Sequence, residues 1–152
     1  KSTMKLIGSE IGAMGMGIPA GIAAALRFPD RQVFSIVGDG GALMTGSELA
    51  TAVAQKTKIR VIVANNNHYG TIRYHQEVHF PTREHYATNL VNPDFAKYGE
   101  SFGLQCFIID KVENIISTIR RAMEVDGPSL IEFKMSLELN TSTSTISQLR
   151  TK

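Results

Sequence analysis

Gln32-Val33-Phe34-Ser35-Ile36-Val37, followed at once by Gly38-Asp39-Gly40-Gly41, decides the fold. The first six residues are a β-rich run and the glycines halt it. A helix is then expected over Thr45–Lys56, because Leu49, Ala52 and Val53 fall at helical spacing, with Thr45 or Ser47 as its cap. Ile59–Ala64 (IRVIVA) is a second strand and ends on Asn65-Asn66-Asn67. Strand, helix and strand in this order make a βαβ unit, whose two strands pair in parallel.

The same alternation extends both ways. Upstream, Ile11–Phe28 is rich in Gly, Ala and Met and reads as a loop followed by a helix over Pro19–Arg27. Proline suits a helix's first turn, and Ala20, Gly21, Ala23, Ala24 and Ala25 allow close packing. Downstream, His68–Leu90 is irregular, with a short helix near Gly70. Asn92-Pro93-Asp94 opens a helix through Phe95 and Tyr98 that stops near Gly103. Leu104–Ile109 is a third strand and Ser129–Phe133 a fourth. Between them, Val112–Val125 carries an apolar stripe of Val112, Ile115, Ile116, Ile119 and Met123. The Thr/Ser-rich tail Asn140–Lys152 has little to bury and is expected to be disordered or docked on a partner. The reading is an α/β domain over residues 1–139, three-layer α/β/α with a mostly parallel central sheet, and a tail over 140–152.

Composition excludes several classes. Of 152 residues, 43% are apolar and 20% charged, an ordinary globular balance. A net charge of +2, with Lys56, Lys58, Arg120 and Arg121 scattered, gives no nucleic-acid footprint. No stretch is apolar and long enough to span a membrane. Cys106 stands in an apolar strand and reads as a small buried hydrophobe. A lone cysteine and an N-terminus without a secretory apolar run favour the cytoplasm. The first residue is not Met, and the chain reads as a cut from a longer polypeptide.

The chemistry gathers at two strand ends, Gly38-Asp39-Gly40-Gly41 and Asn65-Asn66-Asn67-His68-Tyr69-Gly70. In a parallel sheet both lie on one edge, where ligands bind. Glycines bring backbone N–H groups close to an anion, and a following helix points its positive end there. A diphosphate also needs a hard cation, which takes oxygen ligands: here the Asp39 carboxylate and the Asn66 amide oxygen, 27 positions apart. Each motif alone is as often a simple turn, and only the pair indicates a shared site.

The Gly-Asp-Gly followed by Asn-Asn resembles the signature of thiamine-diphosphate enzymes. Gly12-Ala13-Met14-Gly15, Glu48-Leu49-Ala50-Thr51, Asn92-Pro93-Asp94-Phe95 and Gly127-Pro128 extend the likeness to the C-terminal domain of acetolactate-synthase-like enzymes. The resemblance implies thiamine diphosphate and Mg²⁺ as cofactors. It implies Asp39, the Asn66 side chain and the His68 carbonyl as metal ligands, and Gly38, Gly40 and Gly41 around the diphosphate. Tyr69 would close the loop, Met14 would prop the bent cofactor, and the Gly12 carbonyl would meet the aminopyrimidine.

The family's activating glutamate belongs to a pyrimidine-binding domain, from the same polypeptide or another subunit, so no residue of this chain is expected to be catalytic. Glu48 reads as an ordinary helix residue. The partners implied are that domain, a 2-oxo acid substrate and a second copy, in a homodimer or homotetramer, with no nucleic acid and no membrane. Asn67-His68-Tyr69 is not the acidic version of this loop, so decarboxylation with carboligation and decarboxylation with aldehyde release both stay open. So does a non-catalytic nucleotide- or metal-binding module. His68, His75, His79 and His85 are expected to line a substrate channel or a contact rather than hold zinc.

Overall fold

A computed structural model describes residue 8, residues 11–139 and residues 144–150. Gly17–Arg27 forms α1, Val33–Gly38 β1, Asp39–Thr45 α2, Leu49–Ala54 α3, Ile59–Asn65 β2 and Gly70–His79 α4. Phe95–Ser101 forms α5, Gln105–Ile109 β3, Ile115–Met123 α6, Ser129–Lys134 β4 and Ile146–Arg150 α7. The four strands make one sheet in the order β1-β2-β4-β3, every neighbouring pair parallel. β2 is an interior strand, and its near-continuous apolar run follows from burial on both faces.

One face packs Ile59, Val61, Val63 and Leu130 against Ile18 and Ile22 of α1, Leu49 and Ala52 of α3, and Phe95 of α5. α1 sits tight on the sheet: a Cβ on Gly17 would lie 2.2 Å from Val37, and one on Gly21 2.7 Å from Ile59. The other face packs Phe107, Ile109 and Ile131 against Ala122, Ile115 and Ile119 of α6. The architecture is therefore the expected parallel α/β/α. Its second outer layer is α6, over the β3–β4 half of the sheet.

Several local expectations change. The Gly-Asp-Gly-Gly stretch is no loop, because β1 runs directly into α2 at Asp39. The helix expected over Thr45–Lys56 is broken by a 3₁₀ turn at Gly46–Glu48. There the Tyr98 hydroxyl comes within 2.6 Å of where a Gly46 Cβ would be. Neither Thr45 nor Ser47 caps a helix; the Thr45 hydroxyl donates to the Gly15 carbonyl at 2.7 Å. The stripe on α6 is also narrower than expected. Val112 sits in a 3₁₀ turn ahead of the helix, so the inward face is Ile115, Thr118, Ile119 and Ala122, while Val112, Ile116 and Met123 are exposed.

The tail is not bare. Ile146 and Leu149 are buried, and Arg150 reaches back to Glu77 of α4 at 2.6 Å. The described part of the tail, residues 144–150, is thus docked on its own chain; residues 140–143 and 151–152 lie outside the described residues. Among the described residues no helix is long and apolar enough to cross a membrane.

Candidate functional site

Three segments meet at the carboxyl edge of the sheet. Asp39 is buried at the start of α2. Its Oδ1 accepts from the Gly40 N–H at 2.8 Å and its Oδ2 from Asn92 Nδ2 at 2.8 Å. The loop ahead of α1 turns through Gly12 and Gly15, both at positive φ, which glycine adopts without strain. The Thr45 bond to Gly15 ties that loop to α2, and a Cβ on Gly41 would lie 3.6 Å from the Gly15 nitrogen. A Cβ on Gly40 would lie 2.5 Å from the Tyr69 ring and 3.2 Å from the Met14 methyl. Glycine at position 40 lets Met14, Tyr69 and the start of α2 close on one another.

The second loop begins where β2 ends, at Asn65. The His68 N–H donates to Asn66 Oδ1 at 3.0 Å, closing an Asx turn, and Asn67 takes a φ of 58°, a conformation asparagine tolerates. Residues 88–90 hold this loop from outside: the Tyr69 N–H donates to the Thr88 carbonyl at 2.9 Å, the Leu90 N–H to the Asn67 carbonyl at 2.8 Å. The His68 ring lies 3.4 Å from Arg73 Nη1, with its centroid 6.1 Å from that of His85.

A cavity of about 400 Å³ lies where the segments meet. Eight of the nine residues singled out in the sequence line it: Gly12, Met14, Gly38, Asp39, Gly40, Gly41, His68 and Tyr69. Asn66 instead lines a neighbouring cavity of about 280 Å³ with His68, Arg73, His85 and Asn89, its amide oxygen being engaged in the Asx turn. The larger cavity is polar at Asp39 and apolar at Met14, Ile36 and Ile72. Nothing lies within 4 Å of where a Cβ on Gly12 or Gly38 would be, so its wall is open at both. Asn92, which donates to Asp39 through Nδ2, leaves its Oδ1 buried without a hydrogen-bond partner. An open, glycine-walled cavity with a buried carboxylate at its polar end suits an anion bound together with a hard cation.

The remaining titratable groups do not join it. Among the described residues no cluster of three His, Cys, Asp or Glu side chains could hold a metal. His75 and His79 stack on each other at 5.9 Å. Glu48, expected within a helix, ends the 3₁₀ turn ahead of α3 and accepts there from the Thr51 hydroxyl at 2.9 Å. Arg73 is engaged with buried Glu77.

Three residues not singled out as site residues in the sequence connect to Asp39: Asn92 donates to it, and Asn65 in turn accepts from Asn92 and donates to Glu132. In the sequence Asn92 reads only as part of a helix start, whereas the cap is Asp94, which accepts from the Lys97 N–H at 3.0 Å. A lone carboxylate inside Ser129–Phe133 was the available signal for Glu132, since a strand covered on both faces must give a charge a partner.

Fold and site together define a parallel α/β domain with an open, glycine-walled cavity at the ends of β1 and β2. Residues 3–133 match the family described as "Thiamine pyrophosphate enzyme, C-terminal TPP binding domain", and the chain belongs to it. It is 35% identical over 133 residues to the "Putative thiamine pyrophosphate-containing protein YdaP" of Bacillus subtilis (strain 168), covering 88% of this chain and 23% of that protein. It is 35% identical over 137 residues to the acetolactate synthase large subunit of Lactococcus lactis subsp. lactis (strain IL1403), covering 90% of this chain and 24% of that one. Among solved structures, the Rhodococcus jostii RHA1 thiamine diphosphate-dependent 4-hydroxybenzoylformate decarboxylase matches with a TM-score of 0.77 at 30% identity. That match covers 83% of this chain and 24% of the decarboxylase. The chain therefore spans under a quarter of the length of these relatives.

Proposed function

We propose that this chain binds thiamine diphosphate through Mg²⁺ as one part of an enzyme acting on 2-oxo acids, by acetolactate-synthase-like decarboxylation and carboligation. The observation that carries the reading is the meeting of Gly12–Met14, Gly38–Gly41 and His68–Tyr69 around one cavity with Asp39 at its polar end. Asp39, the Asn66 amide oxygen and the His68 carbonyl would hold the metal. Asn66 Oδ1 spends one lone pair on the His68 N–H and keeps another. Gly38, Gly40 and Gly41 would give the diphosphate close access to backbone N–H groups. Met14 would prop the cofactor's rings, Tyr69 would close the loop over the diphosphate, and the Gly12 carbonyl would accept from the cofactor's amino group.

When bound, the cofactor supplies the carbon nucleophile and electron sink for cleaving a 2-oxo acid. The chain's own task is to bind and orient it and to keep water from its rings with Met14, Ile36 and Ile72. The proton chemistry is assigned to a pyrimidine-binding domain of the same polypeptide or another subunit, in a homodimer or homotetramer. The expected compartment is the cytoplasm, in keeping with a free Cys106 thiol. Aldehyde release is a second reading, favoured by the non-acidic Asn67-His68-Tyr69 loop and by the likeness to a decarboxylase.

Calorimetry on the protein at its full natural length, with thiamine diphosphate and with a nucleoside diphosphate, each with and without Mg²⁺, tests the binding. Mg²⁺-dependent preference for thiamine diphosphate is expected, and Asp39→Ala should abolish it. Equal affinity for the nucleotide would support a non-catalytic nucleotide module instead. Products from pyruvate then separate the two chemistries, acetolactate from acetaldehyde.

A further inference from the structure

Four side chains from four stretches of sequence form one hydrogen-bonded line that ends on Asp39. Glu132, on β4, accepts on Oε1 from Asn65 Nδ2 at 2.8 Å. Asn65, the last residue of β2, accepts on Oδ1 from Asn92 Nδ2 at 2.9 Å. The same Asn92 nitrogen donates to Asp39 Oδ2 at 2.8 Å. Glu132, Asn65 and Asp39 are all buried.

The order of donors along this line is not arbitrary. An asparagine amide can turn over, and its partners decide which way it faces. A carboxylate only accepts, so Glu132 takes the NH₂ end of Asn65. Asn65 Oδ1 is thereby turned to the Asn67 N–H, at 3.1 Å, and to Asn92. Asn65 Oδ1 and Asp39 Oδ2 are both acceptors, and each takes one hydrogen of the Asn92 NH₂. The Asn92 oxygen is left buried and unpartnered, so it is not this oxygen's own bonding that orients the amide. With Oδ1 on the Gly40 N–H and Oδ2 on Asn92, both Asp39 oxygens are fixed.

We propose that Glu132 is a positioning residue of the metal site: through Asn65 and Asn92 it sets the orientation in which Asp39 presents its carboxylate to the cation. The proposal rests on the Mg²⁺-dependent reading above. Glu132 lines neither of the two cavities, so its effect on the metal is indirect, and this line is the hydrogen-bonded route to Asp39. Outer partners that orient a metal ligand commonly govern metal affinity by about ten- to a hundredfold.

The test titrates Mg²⁺ at fixed thiamine diphosphate by calorimetry on the full-length protein, and measures the melting midpoint without metal or cofactor. Glu132→Gln keeps an acceptor oxygen for Asn65 and should leave the Mg²⁺ half-saturation near its original value. Glu132→Met removes the acceptor at similar volume and should raise the half-saturation about tenfold. The melting midpoint of that variant should fall modestly, because the Asn65 amide is left buried without its acceptor, whereas that of Glu132→Gln should hold. Asn92→Leu should lose at least as much Mg²⁺ affinity. Because both changes act through the same Asp39 oxygen, the double variant should match Asn92→Leu alone rather than the product of the two losses.

An unchanged half-saturation in Glu132→Met overturns the proposal, as does a multiplicative double variant. A melting midpoint that falls in step with affinity, in Glu132→Gln as well, marks Glu132 as merely structural and also overturns it. Should Glu132→Met fail to fold, an unchanged half-saturation in Asn92→Leu is enough to overturn it. Absence of any Mg²⁺ dependence in the unaltered protein defeats the functional reading itself, before any variant is made.

Discussion

Cys106 shows how far environment decides what a single side chain does. Its sulfur lies 2.6 Å from where a Cβ on Gly99 would stand, so strand β3 and helix α5 close on it. Burial, with Glu100 nearby adding to it, pushes the thiol up to about 11. The thiolate is the reactive form, so very little exists at neutral pH. Iodoacetamide at pH 7.5 should modify the folded protein far more slowly than the urea-unfolded chain, and equal rates would contradict this. The nature of Cys106 could be read in the sequence because an apolar run on both sides is a local signal. Asp39, Gly40 and His68 were legible for the same reason, each lying just beyond a β run. Asn65, Asn92 and Glu132 were not, because their roles come from contacts across the fold: Asn92 is 53 positions from Asp39, and Glu132 67 from Asn65.

Among the elements, α7 and α4 depend on one buried carboxylate. Glu77 is about 2% exposed and bonds both Arg73 and Arg150. Its carboxyl is held below the usual range chiefly by the hydrogen bond from Arg150, with Arg73 helping and burial opposing. Its folded value thus lies below the unfolded value of about 4.3. Between the two the unfolded chain binds more protons, so stability there rises with pH. The contribution is fully present above about pH 4.3 and is lost as pH falls from there through the folded value. Glu77→Gln should therefore cost about 2 kcal/mol at neutral pH. Thermal unfolding of the two proteins should converge as pH drops below about 4, whereas a constant gap would remove the pair from the account. The composition of the tail hid this contact. Ile146, Leu149 and Arg150 are too few to register against the surrounding Ser and Thr, yet five residues of helix align two of them with the core and one with Glu77.

For the whole molecule, the decisive asymmetry is that the described residues cover only half of one sheet face. By register, Ile36, Ile62, Ile131 and Phe107 form one row across the sheet. α6 packs over the β3–β4 end of that row, whereas on β1 Ile36 is 73% and Phe34 40% exposed. The sequence could not separate these residues from their neighbours, since Gln32–Val37 lacks the strict polar alternation that tells an inner face from an outer one. Val33, Ser35 and Val37 face α1, and the equally apolar Phe34 and Ile36 face outward. The bare area adjoins the larger cavity, whose wall includes Ile36 and Ile72. A full apolar side chain is worth about 1.5–3 kcal/mol when removed from water. Contiguous exposure next to that cavity therefore marks an interaction face rather than a tolerated surface. The 152-residue chain expressed by itself should consequently associate through β1. Size-exclusion chromatography with light scattering should give a mass above that of a monomer at tens of micromolar. Phe34→Lys combined with Ile36→Lys should return it toward the monomer without moving Asp39 or the glycines of the cavity. A wild-type chain that stays monomeric at that concentration would show that the bare half of the sheet is tolerated in water, and that covering it contributes nothing to assembling the site.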